Sequence, residues 1–130
     1  MCLQSINIKK TALAKKEESL TLYKALYIDM DHRIFSYYSD HEWTIDVVSQ
    51  SSRFDSYLKN DEIESGKVLY GFHFFKNVKD AWELTKIKRA SLGVDRVGKF
   101  TVFGSDVVAV GLFCGSVSFV STRATLVKLL

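Results

Sequence analysis

The sequence predicts an α+β domain with a largely antiparallel sheet and one main helix at about residues 78–90. Segments rich in β-branched and aromatic residues recur along the chain with short polar turns between them. They do not alternate with helices as the strands of a parallel sheet do. The chain has 130 residues, of which 47% are apolar and 25% charged. These values are typical of one globular domain with a single core.

The N-terminal part divides into an arm and the beginning of the sheet. Residues 1–19 are polar and rich in lysine, with weak helical character, and predict an irregular arm before a domain at 20–130. The first strands are expected at 20–28, 33–38 and 43–48, where turns containing aspartate separate them. This order predicts a three-stranded meander.

The second half carries the helix and the remaining strands. An apolar strand is expected at 68–75, and Asn77 with Asp80 then resembles the capped start of a helix. Gly93 is a suitable stop for that helix. Further strands are expected at 99–103, 107–113 and 117–129. Residues 49–67 are polar and predict a loop, a short helix or a flap.

Composition limits the compartment and the partners. No apolar run is long enough for a membrane span, and the first residues do not form a signal peptide. Cys2 and Cys114 are too few for a disulfide framework, so we expect a cytoplasmic protein without a membrane partner, with Cys114 as a small buried residue. The basic residues are scattered and often alternate with apolar ones, which argues against a dedicated role in binding duplex nucleic acid.

No strong catalytic or metal-binding motif is present, so neither a cofactor nor a metal ion is expected. The cluster of Asp29, Asp31 and His32 fits a hairpin turn better than a cation loop. Cys2 is the one catalytic candidate, because removal of Met1 would place an α-amine beside its thiol. The alternative is an inert thiol on a mobile arm.

Aromatic residues are the most distinctive part of the composition, with 17 in the chain. Several are crowded into the predicted meander, where alternation turns some of them outward. Exposed aromatic rings suit protein interfaces and base-stacking platforms alike. Tyr37, Tyr38 and Trp43 are therefore the predicted interface, with a two-sided core as the alternative.

Short motifs along the chain resemble a family of small, uncharacterised bacterial and phage proteins. They are Met1-Cys2-Leu3, the strand Leu22-Tyr23-Lys24-Ala25-Leu26, the strand Gly71-Phe72-His73-Phe74-Phe75-Lys76, Asp80-Ala81 in the helix, and Val120-Ser121-Thr122-Arg123. The chain lacks the prolines that the family has in its arm. The resemblance implies a phage or mobile-element setting and assigns no catalytic residue.

A second likeness concerns the order of elements. An early Leu-Tyr-Lys strand, a Gly-Phe-x-Phe segment and a helix entered through Ala81-Trp82 are similar in order to ADP-ribosyltransferases. Those enzymes use a glutamate or glutamine late in the chain, whereas the last acidic residue here is Asp106. This likeness implies a nucleotide-binding or vestigial transferase domain. Its predicted pocket residues are Tyr23, Lys24, His73 and Trp82.

His73 has two interpretations at this stage. It lies between Phe72 and Phe74 beside Gly71, so it lines a small-ligand pocket or is a core histidine bonded to a backbone carbonyl.

The function that we expect from the sequence is that of a small, non-enzymatic interaction protein of a phage or mobile element. It would block a component of host defence or regulation through a protein partner. A small nucleotide is the alternative ligand. Exposed strand edges also allow a homodimer.

Overall fold

The computed structural model describes residues 3–37, 41–51, 71–87 and 93–130, apart from the side chain of Ile87. The strands are β1 (Ser5–Ile6), β2 (Ser19–Ile28), β3 (Ile34–Ser36), β4 (Glu42–Trp43), β5 (Val48–Gln50), β6 (Phe72–Phe75), β7 (Val94–Phe103), β8 (Val107–Phe113), β9 (Ser116–Ser121) and β10 (Arg123–Leu129). The helices are α1 (Ile8–Lys15) and α2 (Val78–Ile87), and a 3₁₀ turn covers Gly104–Asp106. The predicted α+β class is confirmed.

One antiparallel sheet contains all ten strands of the described residues. Its main path runs β1-β8-β9-β6-β2-β7-β10-β5, and β3 pairs with β2 and with β4. The long strands β2 and β7 pair over ten residues, from Ser19 opposite Phe103 to Ile28 opposite Val94. β10 then lies on the other side of β7. These three strands form the centre of the molecule.

Within the predicted irregular arm at 1–19, residues 5–6 form a strand and residues 8–15 a helix, so this part is not irregular. Ser5 and Ile6 pair with β8, and Leu3 is completely buried. Gly111 makes this pairing possible, because a Cβ there would lie 1.8 Å from the Ser5 carbonyl oxygen. Asn7 caps α1 by accepting a hydrogen bond from the Lys10 amide at 2.9 Å. The arm is therefore part of the folded sheet.

The predicted meander is confirmed in its order, although its strands differ in length. β2 pairs with β3 and β3 with β4, but β4 is only two residues long. The turn between β2 and β3 forms because the Asp29 carboxylate accepts hydrogen bonds from the amides of Asp31 and Arg33. A turn at 44–47 interrupts the strand predicted at 43–48, and Val48 already belongs to β5, which pairs with β10. The predicted loop at 49–67 lies mostly outside the described residues.

The C-terminal strands follow the prediction with shifted bounds. β7 begins at Val94 rather than 99, and the single strand expected at 117–129 is divided at Thr122 into β9 and β10. Cys114 is exposed and not buried, because it occupies the tight turn between β8 and β9 with a positive φ of 50°. The predicted helix starts at Val78 as expected, and residues 88–92 lie outside the described chain.

The central strands separate two sides of the sheet. The inner side carries the largest core cluster, which includes Leu22, Phe74 and Phe100. The outer side carries a smaller cluster over which α2 packs, with Ala25, Val97 and Leu84 among its members. In the part of the chain that the structure describes, neither helix has the length and apolar character that a membrane crossing requires.

Candidate functional site

The four residues predicted to line a nucleotide pocket lie on both sides of the sheet. Tyr23 and Trp82 pack against the outer cluster under α2. Lys24 follows Tyr23 on the strand and points inward, where its ammonium lies 5.5 Å from the centre of the Phe74 ring. His73 lies beside Val120 of β9 and is buried. The structure therefore does not bring the four residues together on one side of the sheet.

Lys24 occupies the point where β2 exchanges β6 for β3 as its neighbour. Tyr23 pairs with Phe75 of β6, whereas Leu26 already pairs with β3. The Lys24 ammonium fills the gap by donating a hydrogen bond of 2.8 Å to the His73 carbonyl oxygen. Burial lowers the pKa of Lys24 from 10.5 to about 8. This position, where β2 changes its neighbour from β6 to β3, indicates a structural role for Lys24.

His73 is a buried imidazole with an unusual environment. The residue is 5% exposed, and neither ring nitrogen has a hydrogen-bond partner among the described residues. Burial, and then the nearby Lys24 ammonium, lowers the pKa of His73 to about 3. The ring is therefore neutral at physiological pH. The burial of His73 agrees with the predicted core position, but the expected bond to a carbonyl is missing among the described residues.

Two of the three residues of the predicted aromatic interface, Tyr37 and Trp43, are buried. Trp43 is 2% exposed and donates from Nε1 to the Ser36 hydroxyl at 2.7 Å. Tyr37 is 9% exposed, and its hydroxyl donates to the Asp95 carboxylate. Both rings are buried with their polar atoms paired, Trp43 to the buried Ser36 and Tyr37 to the half-buried Asp95. Tyr38, the third predicted residue, lies outside the described residues, as does the catalytic candidate Cys2.

An extended polar surface lies on the outer side of β2, β7, β10 and β5, beside the part that α2 covers. Its side chains are in register across the strands: Thr21 pairs with Thr101, Thr101 with Thr125, and Thr125 with Val48. We name this surface the open face. It consists of Ser19, Thr21, Tyr23, Lys99, Thr101, Phe103, Arg123, Thr125, Lys128, Val48 and Gln50, all half-buried or exposed.

Two lysines lie directly opposite each other on the open face. Lys99 of β7 pairs with Lys128 of β10. Simple alternation from the inward Leu126 would turn Lys128 inward as well, but a bulge between Leu126 and Lys128 places Lys128 on the outer side. Paired residues of an antiparallel ladder have Cβ atoms about 5 Å apart, and like charges in such positions repel. Among the described residues, neither lysine has an ion-pair partner. The pair creates a local positive potential.

Arginine and aromatic groups extend this positive region. Arg123 is exposed on β10, opposite Gln50 of β5. With its amide turned, Gln50 accepts from the Arg123 guanidinium at 3.2 and 3.3 Å. Phe103 is 52% exposed at the end of β7. The open face thus combines three cations, three threonines and an exposed phenyl ring, and none of its residues is acidic.

Sequence reasoning missed the open face, although part of its signal is present. Lys99, Thr101 and Phe103 alternate with the buried Phe100 and Val102, which is the pattern of a half-exposed strand. The alternation predicts that these residues share a side. It does not predict that Lys128, far along the chain, lies opposite Lys99, because that register depends on a bulge.

No metal centre is found among the described residues, where no group of three or more His, Cys, Asp or Glu side chains is close enough to share an ion. The resemblances inferred from short motifs remain predictions, because the comparisons with known proteins found no match. No protein-family model matches the chain, and no curated protein or solved structure matches it significantly.

Proposed function

We propose that this protein is a non-enzymatic interaction protein whose open face binds single-stranded nucleic acid. The observation that carries the proposal is the opposed pair Lys99 and Lys128, held in register without an acidic partner among the described residues. A phosphate group between the two ammonium groups would relieve their repulsion. Each lysine would then contribute a charge-assisted contact, which is the dominant source of affinity for nucleic acids.

The neighbouring residues favour a single strand over a duplex. Threonine hydroxyls and the Arg123 guanidinium are common donors to phosphate oxygens. The exposed ring of Phe103 offers a surface on which an unpaired base can stack. A duplex keeps its bases stacked inside, and its major groove admits a helix or a two-stranded ribbon rather than a sheet of four strands.

A protein partner is the alternative occupant of the open face. Interfaces between proteins are depleted in lysine and enriched in aromatic residues and arginine. The open face has two lysines at its centre and one strongly exposed aromatic ring, Phe103. We therefore favour the nucleic acid. The phage or mobile-element setting, with interference in host defence or regulation, remains part of the proposal and follows from the resemblance alone.

The first experiment measures binding of a fluorescein-labelled oligothymidylate of about twelve nucleotides by anisotropy, at about 50 mM salt. The double variant Lys99→Glu/Lys128→Glu should weaken binding at least tenfold. The matched control is Lys9→Glu/Lys16→Glu, which changes the net charge equally at exposed positions of the N-terminal region. Equal losses in both variants would contradict binding at the open face and indicate attraction by net charge alone.

Salt dependence and competitor identity test the chemical class. For a single strand, log K falls with log salt with a slope of about −0.7 per phosphate contact, so Lys99→Gln/Lys128→Gln should reduce the slope by about 1.4. Unlabelled oligothymidylate should compete at lower concentration than a duplex of equal length. Competition by polyglutamate at the same charge concentration would contradict the proposal and favour an acidic protein partner.

A further inference from the structure

A groove lies between α1 and the sheet, separate from the open face. Its volume is about 240 Å³, and its walls come from α1 and from β8 and β9. Leu13 of α1 lies on one wall, and Val117 and Phe119 of β9 lie on the other. The groove is larger than a cavity of about 150 Å³ that holds one benzene molecule, so it has room for a short alkyl chain.

The groove forms because α1 contacts the sheet through small residues. The Thr11 hydroxyl accepts a hydrogen bond of 2.9 Å from the Val110 amide, and Ala14 is buried against the inner core. These short side chains bring α1 close to the sheet where they contact it and leave a space between helix and sheet beside that contact. Leu13 stays 56% exposed as a result. An apolar occupant would cover a leucine that the fold leaves in water.

Charged groups at the groove indicate the chemistry of its occupant. Lys10 of α1 and Lys76, which follows β6, both line it. Neither forms an ion pair with another described residue. Glu17 also lines the groove and is the one carboxylate among its residues. Two ammonium groups from separate elements over an apolar floor are complementary to an anionic head group on an apolar tail.

We propose that this groove binds a single-chain amphiphile with an anionic head group, its tail on the apolar floor and its head group at Lys10 and Lys76. This site goes beyond the proposed function, because it shares no residue with the open face. Lys10 and Lys76 attract the head group, and Glu17 opposes it. The anion and the tail act together, so a molecule with only one of the two features binds weakly.

The test uses sodium decanoate as the probe, with calorimetry and with methyl NMR spectra of leucine and valine. Decanoate should bind, should shift the methyl signals of Leu13 and Val117, and should bind about tenfold more tightly than decanol or decyltrimethylammonium. Lys10→Glu/Lys76→Glu should remove this preference, and Glu17→Gln should strengthen decanoate binding. Equal binding of the three probes would overturn the proposal, because it indicates apolar adsorption only.

Two further variants show whether a loss of binding is caused by misfolding. A vesicle experiment distinguishes a free amphiphile from a lipid in a bilayer. Lys9→Glu/Lys16→Glu is the charge-matched control and should keep the decanoate preference. Val117→Phe should fill the groove and abolish binding while the melting temperature without ligand stays close to that of the unchanged protein. Vesicles of phosphatidylglycerol present the anion on a bilayer instead. Binding to these vesicles without binding to decanoate would contradict a groove for single chains.

Discussion

The two sides of the three central strands differ within a single residue step. On the inner side, Leu22, Phe100 and Leu126 lie in one row across β2, β7 and β10, and each is at most 1% exposed. One position away, a row of threonines crosses the same strands on the outer side. The inner row supplies burial and hence stability. The outer row contributes little to the core and is therefore available for binding.

Substitutions at two neighbouring residues of β7 should differ most in their effect on the free energy of unfolding. The Phe100 ring contacts the rings of Trp43 and Phe74, with centres 4.8 and 5.0 Å apart. Phe100→Ala should lower the free energy of unfolding by about 4 kcal/mol, because it removes a completely buried ring and leaves a cavity. Thr101→Ala should change it by less than about 0.5 kcal/mol. Urea denaturation measures both, and similar losses would contradict the assignment of the two sides.

The next effect is a loss of folding stability at low pH that the buried imidazole of His73 causes. The folded protein keeps His73 neutral down to a pKa of about 3, whereas the unfolded chain takes up a proton near 6.5. Protonation therefore favours the unfolded chain as the pH falls from 6.5 towards 3. This group alone should remove about 3 kcal/mol of stability between pH 6.5 and 4.

Replacement of the His73 ring separates its contribution to the acid-induced loss of stability from that of the Asp and Glu carboxylates. His73→Leu should lose about 3 kcal/mol less than the unchanged protein over the same pH interval, as measured by urea denaturation. His32→Gln is the control, because His32 is exposed in a turn. It should follow the unchanged protein. A His73→Leu variant with the full acid loss would show that the imidazole is accessible to protons in the folded state.

Much of the sheet could be predicted from the sequence, since its signals are local. Alternation and turn residues predict β2, β8 and the meander, and Asn77 predicts the start of α2. The arm could not be predicted, because its order depends on a distant contact: Gly111 lets Ser5 approach β8. An isolated arm with the same residues has no comparable reason to fold.

The candidate site was predicted less well than the fold. Tyr37 and Trp43 are aromatic residues with polar atoms, and such residues suit a surface and a core equally. Hydrogen bonds to the half-buried Asp95 and the buried Ser36 allow Tyr37 and Trp43 to be buried. The open face depends on register between β7 and β10, and one bulge places Lys128 outward. A slip of one residue would turn it inward.

A smaller effect distinguishes the two kinds of lysine on the central strands. Lys24 on the inner side has a pKa lowered to about 8 by burial. Between pH 8 and about 10.5 the unfolded chain holds the proton and the folded protein releases it, so stability rises with pH over this interval. We expect a gain of about 2 kcal/mol by pH 10 from Lys24.

The matched variants are Lys24→Met and Lys99→Met, compared by urea denaturation at pH 7.5 and 10 (both values set by the titration range of lysine). Lys24→Met should lose the gain in stability with rising pH, and Lys99→Met should keep it. If both variants behave like the unchanged protein, the Lys24 ammonium is not buried in solution.

The smallest effect concerns repulsion on the open face. Lys128→Thr should raise the free energy of unfolding by about 0.5 kcal/mol at low salt, because it removes a like charge opposite Lys99. The gain should disappear at about 1 M salt, where the screening length is about 3 Å. A loss of stability at low salt would mean that Lys128 has a stabilising partner and would weaken the case for an anion site.

The most direct test of the central claim is a map of amide chemical shifts in ¹⁵N-labelled protein as oligothymidylate is added. We expect the largest changes on the outer rows of β7 and β10, with Lys99, Thr101, Phe103, Thr125 and Lys128 among them. Residues of α1 should change little. Changes centred on α1, or spread evenly over all basic residues, would contradict the assignment of the open face as the nucleic-acid site.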